Sequence, residues 1–89
     1  MTNFKIEWHK KAVKELKKIP KTRARQLISL VSSLSKEPIK NSFPLHGCSF
    51  RKVRAGHYRA IIEVINSKKV IRVLLVGHRK NIYKKIQKK

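Results

Sequence analysis

Eighty-nine residues allow one domain with a modest core, and 40% hydrophobic content sets the chain apart from disordered sequences. Twenty-four Lys and Arg face only four acids, Glu7, Glu15, Glu37 and Glu63, for a formal charge of +20. No apolar run approaches the roughly 20 residues that cross a bilayer, the N-terminus lacks the order of a signal peptide, and the lone Cys48 excludes an internal disulfide.

In chain order, residues 2–7 alternate with strand period and place Phe4 and Ile6 on one face. From Trp8 to Ile19 the period becomes helical, with Ala12, Val13, Leu16 and Ile19 on one stripe, until Pro20 breaks the run. A second helix is expected from Thr22, a plausible cap, to Ser35, with Ala24, Leu27, Ile28, Val31 and Leu34 inward. Glu37-Pro38 closes it. So short a connection predicts an antiparallel helical hairpin. Residues 39–49, with Pro44 and Gly47, read as a loop. Three strands follow at Phe50–Arg54, Tyr58–Ile65 and Val70–Val76, joined by hairpin-length turns, and Gly77 closes the last. A polar tail with Ile82, Tyr83 and Ile86 suggests a final helical turn or two. The fold class is α+β: a strand, a helical hairpin, then a three-strand antiparallel meander in one sheet and one domain. The middle strands are apolar in both parities, with Ile61 and Ile65 on one face and Ile62 and Val64 on the other. The face away from the helices therefore needs cover of its own, some of which a partner could give.

Charge so one-sided points to an anionic partner, nucleic acid or an acidic protein, since solubility alone does not require removing nearly all acids. Membrane binding fits less well, because a surface-lying helix would carry one large apolar face. Residues 1–44 hold eleven cations and three acids, and residues 45–89 thirteen cations and one acid, so total charge locates no site. Local pattern does. In Lys52-Val53-Arg54-Ala55-Gly56-His57-Tyr58-Arg59, alternation sends Lys52 and Arg54 to one face, and a tight turn returns Arg59 beside them. Convergent guanidinium groups suit phosphate. A charge-protected edge strand is the plain alternative; it explains Lys52 but not an arginine in an otherwise apolar strand. The second cluster is Val76-Gly77-His78-Arg79-Lys80-Asn81-Ile82-Tyr83, where a helical turn would put Arg79 and Tyr83 on one face. Taken alone it also fits a core tyrosine beside a solvated arginine.

Together the two clusters resemble the RelE/ParE toxin superfamily, and RelE-like mRNA interferases in particular. The short strand ending near Trp8, the helix with Ala12 and Leu16, the helix ending at Pro38, and Leu45 and Gly47 in the loop also agree. The resemblance implies a sheet cradled by a helical hairpin and a toxin restrained by an antitoxin, with a heterotetramer as one form of the complex; the charge of +20 calls for that antitoxin to be acidic, and the composition reads as that of a cytoplasmic protein. RelE-type members cut mRNA in the ribosomal A site without metal or cofactor; ParE-type members poison DNA gyrase. By the same resemblance, Arg59 and Arg79 hold and neutralise the scissile phosphate, with Arg79 also a general acid. Tyr83 matches the tyrosine proposed as general base, Lys52 and Arg54 orient the RNA, and His78 stands where some relatives place a catalytic histidine. No Cys/His cluster has metal-ligand spacing, so cations must stabilise the extra negative charge of attack by a 2′-hydroxyl. A tyrosine base is demanding: its ordinary value of about 10 must fall to neutrality, asking for about 4 kcal/mol of preference for phenolate. A histidine, His78 first and His57 second, is the alternative. Two other functions remain open: a gyrase inhibitor that acts by binding, and a non-catalytic RNA-binding module using Phe50 and Tyr58 as stacking aromatics.

Overall fold

The structure, a computed structural model, describes residues 3–37, 40, 42–44 and 50–82. The elements are β1 (Lys5–Trp8), α1 (Lys10–Leu16), α2 (Lys21–Ser33), β2 (Phe43–Pro44), β3 (Arg51–Ala55), β4 (Tyr58–Ile65) and β5 (Val70–His78). One helical turn over 79–82 follows. The strands form a single five-stranded sheet in the order β1-β5-β4-β3-β2. β1 runs parallel to β5, and the other neighbours are antiparallel. This is the expected α+β architecture with one strand more than the sequence pattern showed. Phe43–Pro44 lay inside the expected loop, yet it pairs with Lys52 and Arg51 at the sheet edge, where a proline is tolerated. Arg51 fastens it, donating from Nε to Ser42 Oγ (2.7 Å) and from Nη2 to Ser42 O (2.9 Å).

Both helices are shorter than their apolar stripes. α1 begins where His9, with extended backbone, accepts the Lys11 N–H on Nδ1 at 3.2 Å. It stops at Leu16, ahead of Ile19, because Pro20 disfavours helical backbone in the residue before it. α2 begins at Lys21, with Pro20 in the capping position and no side-chain cap. Thr22 is therefore inside the first turn and caps nothing, a correction to the expected boundary. Pro20 O accepts the Ala24 N–H at 2.9 Å, so the proline carbonyl starts the helix. At the other end Leu34 N–H reaches Val31 O (3.0 Å) and Ser35 N–H reaches Ser32 O (3.2 Å). This tighter winding ends α2 at Ser33.

Both helices lie on one face of the sheet, α1 against β5 and α2 against β3 and β4. Ala12, Leu27, Val31 and Leu34 meet Val53, Ala60, Ile62, Ile71, Val73 and Val76 in the main core. The opposite, outer face carries a second apolar group of Ile61, Leu75 and Ile82, with Phe50 and Leu74 packed against it. The chain thus supplies part of the cover that the two-sided strands require.

A bulge in β5 determines what reaches each face. Ile61 pairs with Leu75 and Ile62 with Val73, leaving Leu74 as the extra residue. Ile71 and Val73 face the helices before it, and Val76 does so after it. Gly77 does not close the strand as expected. It lies within β5, paired with Arg59, because Tyr58 continues the ladder to His78.

Candidate functional site

The site is built on the β3–β4 hairpin. Val53 and Ala55 point into the core, so alternation sends Lys52 and Arg54 to the outer face. Arg54 pairs directly with Arg59, and Lys52 with Ile61, a member of the outer apolar group. Lys52, Arg54 and Arg59 therefore share the outer face. The turn between the strands is Gly56-His57, with Gly56 at φ +62, where glycine opens a two-residue hairpin without strain. A Cβ at Gly56 would also stand 2.7 Å from Arg23 Cζ. Gly56→Ala is expected to cost about 1–2 kcal/mol, read as a lower urea midpoint at unchanged slope.

Arg59 is an uncommon group to find in a strand. It is only 7% exposed, and its Nη1 donates to Gly56 O (2.7 Å) and Tyr58 O (3.1 Å). Its Nε is buried and, among the described residues, has no acceptor. An unmet buried donor costs about 1–3 kcal/mol, and like charges placed directly opposite on a sheet add to that. Arg54 is exposed and stacks its guanidinium 4.7 Å from the Phe43 ring centroid. An anion between Arg54 and Arg59 would offset the repulsion between them.

The acids of the sheet lie elsewhere. Arg72 pairs in register with Glu7 on β1 and Glu63 on β4, and its Nε meets Glu7 Oε1 at 3.3 Å. Glu63 is four strand residues from Arg59, roughly 13 Å along the strand, beyond the screening length of about 8 Å at physiological salt. The outer face is thus polarised, with neutralised charge at one end, an apolar middle, and concentrated cations at the hairpin end.

Arg79 comes to that same end. Its backbone N–H donates to His57 O at 2.8 Å, so the β3–β4 turn holds the start of the last helical turn. Ile82, 1% exposed, seats that turn on the outer face, its Cγ1 lying 3.5 Å from where a Gly77 Cβ would be. His78 goes the other way. It pairs with Tyr58, which packs against the main core, and the two rings meet edge to face at 5.6 Å. His57 stacks on His78 at 5.9 Å, and His78 Nδ1 accepts the Lys80 N–H at 3.3 Å. The structure therefore gathers Lys52, Arg54, Arg59 and the Arg79 backbone, and turns His78 to the helix side. Tyr83, Leu45, Gly47 and Cys48 lie outside the described residues. Among the described residues, no group of three His, Cys, Asp or Glu side chains could hold a metal ion, and no helix is long and apolar enough to cross a membrane.

Sequence reasoning missed Phe43. It is 41% exposed, beside Lys52 and under Arg54, the one large aromatic open to solvent at this edge among the described residues. A proline neighbour hid its strand. The aromatics expected to stack on bases are engaged elsewhere: Tyr58 with the main core and Phe50 with the outer apolar group.

Comparison with known proteins agrees with this fold. The sequence profile of the ParE toxin of type II toxin–antitoxin systems (parDE) matches residues 6–83. A search of curated proteins gave no match. Among solved structures, the archaeal RelE–RelB complex from Pyrococcus horikoshii OT3 contains a chain 28% identical, with a TM-score of 0.76, covering 88% of this chain and 97% of that one. The intact E. coli RelBE toxin–antitoxin complex gives 27% identity and a TM-score of 0.74 over 84% and 95% of the two chains. The isolated E. coli RelE toxin gives 28% and 0.69 over 96% of each. A profile matched over most of the chain, on this hairpin-supported sheet, makes the protein a member of the ParE toxin family of type II toxin–antitoxin systems, within the RelE/ParE superfamily.

Proposed function

We propose that this toxin is a ribosome-dependent endoribonuclease, which cuts mRNA in the ribosomal A site without a metal ion and so stops translation. The observation that carries this reading is Arg59: a buried guanidinium whose Nε has no acceptor among the described residues, directly opposite Arg54. Folding does not need that arrangement, whereas a phosphate bearing extra charge does. In the proposed reaction the 2′-hydroxyl attacks the adjacent phosphorus in line. Its proton passes to a base, a 2′,3′-cyclic phosphate forms, and the departing 5′-oxygen takes a proton from Arg79. Arg59 and Arg54 neutralise the phosphorane, and Lys52 orients the strand. His78 faces the helix side, away from Arg59, so Tyr83 is the base in this reading.

The test is primer extension on mRNA in a translation extract. Arg79→Ala and Tyr83→Phe should each lower cleavage by at least about 10²-fold while retaining antitoxin binding; undiminished cutting by both variants would sink the assignment. The partner in this reading is an acidic antitoxin that folds on binding, as suits a +20 surface, and the related RelE chains were solved with RelB. One observation favours a second reading: the profile that matches is that of ParE. Inhibition of gyrase supercoiling by the purified protein, with mRNA left intact, would select it.

A further inference from the structure

We propose that the cleft between α2 and the β3–β4 turn is a second phosphate subsite, which holds the backbone of the RNA strand beyond the scissile position. The cleft measures about 510 Å³ and is lined by Arg23, Arg25, Gln26, Ser29, Arg54 and Gly56, among others. Three arginines line it together with the apolar Leu30 and Ala55, and no acid is among its described lining residues. Two of the three are held in place. Arg23 Nη1 donates to Gln26 Oε1 at 2.8 Å, and its guanidinium lies so close over the turn that only a residue without Cβ fits beneath it at Gly56. Arg54 borders the cleft from β3, and its guanidinium stacks on the Phe43 ring at the outer face. Guanidinium groups fixed before binding lose less freedom on meeting an anion. The first turn of α2 adds to the field, since it carries no acid and no side-chain cap.

Three like charges around one cleft repel each other and contribute nothing to the core, so their convergence is explained by an anion. Phosphate satisfies several guanidinium donors at once, each bidentately. RNA is the source chosen because Arg54 belongs to both places: it lines the cleft and pairs with Arg59 at the candidate site. A strand held between Arg54 and Arg59 need only pass the β3 edge to reach Arg23 and Arg25. This extension rests on the endoribonuclease reading.

The experiment measures binding of a 2′-O-methyl decaribonucleotide, which cannot be cut, to the full chain across a salt series. Arg23→Gln/Arg25→Gln is compared with Lys11→Gln/Lys14→Gln, an equal loss of charge on the exposed side of α1. The arginine variant should bind about tenfold more weakly at about 0.15 M salt, and its log–log salt slope should flatten by about 0.7 for each phosphate no longer neutralised. The lysine variant should change by less than about twofold. Equal losses in the two variants would overturn the proposal. So would an acidic decapeptide whose binding is lost in the arginine variant while oligonucleotide binding is kept, which would assign the cleft to a protein partner. A parallel mRNA cleavage assay separates the two readings. If the wild-type chain cuts nothing yet the arginine variant binds RNA more weakly than the lysine control, the subsite stands and the nuclease reading falls; cutting with equal binding losses gives the reverse.

Discussion

Arg59→Met is expected to lower mRNA cleavage by about 10²–10³-fold while leaving the fold as stable as the wild type, or about 1 kcal/mol more stable. Methionine fills similar space without a charge. It removes the buried Nε that has no acceptor among the described residues and ends the direct opposition to Arg54. Against these gains stand two hydrogen bonds to the Gly56 and Tyr58 carbonyls, each worth about 1.5–3 kcal/mol net for a charged donor. Burying a cation without an anion is costly enough for the two sides nearly to cancel. In the proposed reaction activity has no such balance, because loss of a cation that neutralises the phosphorane costs about 3–4 kcal/mol of transition-state stabilisation. Urea denaturation and a cleavage assay on the same preparation check both parts. A variant that loses stability and keeps activity would mean that Arg59 is structural.

Ile82→Ala should have the largest effect on local order. Ile82 is 1% exposed and sits with Ile61 and Leu75 on the outer face, over Gly77. Truncation of so enclosed an isoleucine costs about 2–5 kcal/mol if the whole protein must bear it. Here a cheaper response exists. Among the described residues, the turn over 79–82 is held by the Arg79 N–H to His57 O bond, the Lys80 N–H to His78 Nδ1 bond and this side chain, so it can detach while the main core stays folded. Hydrogen exchange should show Arg79 losing protection while Val53, Ile62 and Val73 keep theirs, and cleavage should fall because Arg79 is no longer held at the site. Global loss of protection would show that the turn and the core unfold as one unit.

Much of this was legible in the sequence, for definite reasons. Strict alternation in Lys52-Val53-Arg54 and a tight turn placed Lys52, Arg54 and Arg59 on one face, and the register shows that arrangement, with β3 running one residue further, to Ala55, than the pattern gave. The largely apolar run Tyr58–Ile65 gave the bounds of β4 because a strand buried on both faces needs it. The bulge was not legible. Leu74, Leu75 and Val76 are all apolar, so no change of residue type marks the slip. Without it, alternation from Val73 would turn His78 to the outer face; with it, His78 meets Tyr58 on the helix side. β2 escaped because two residues, one of them Pro44, are too few for a period. The arginine cleft escaped because Arg23 and Arg54 are distant in sequence, and only the packing of α2 beside the β3–β4 turn joins them. The burial of Arg59 was equally hidden, since pattern gives a face and not the depth.

The most direct test of the central claim, that the outer face around Arg59 cleaves RNA through the 2′-hydroxyl, is the chemistry of the cut ends. A defined mRNA should be translated in a reconstituted system with the toxin, and the 3′ ends of the fragments analysed. The account predicts a 2′,3′-cyclic phosphate at each cut, no cut where the scissile nucleotide carries 2′-deoxyribose, and no cut with Arg59→Met. Intact mRNA in the presence of a folded, growth-arresting protein, or fragments ending in a 3′-hydroxyl, would contradict it.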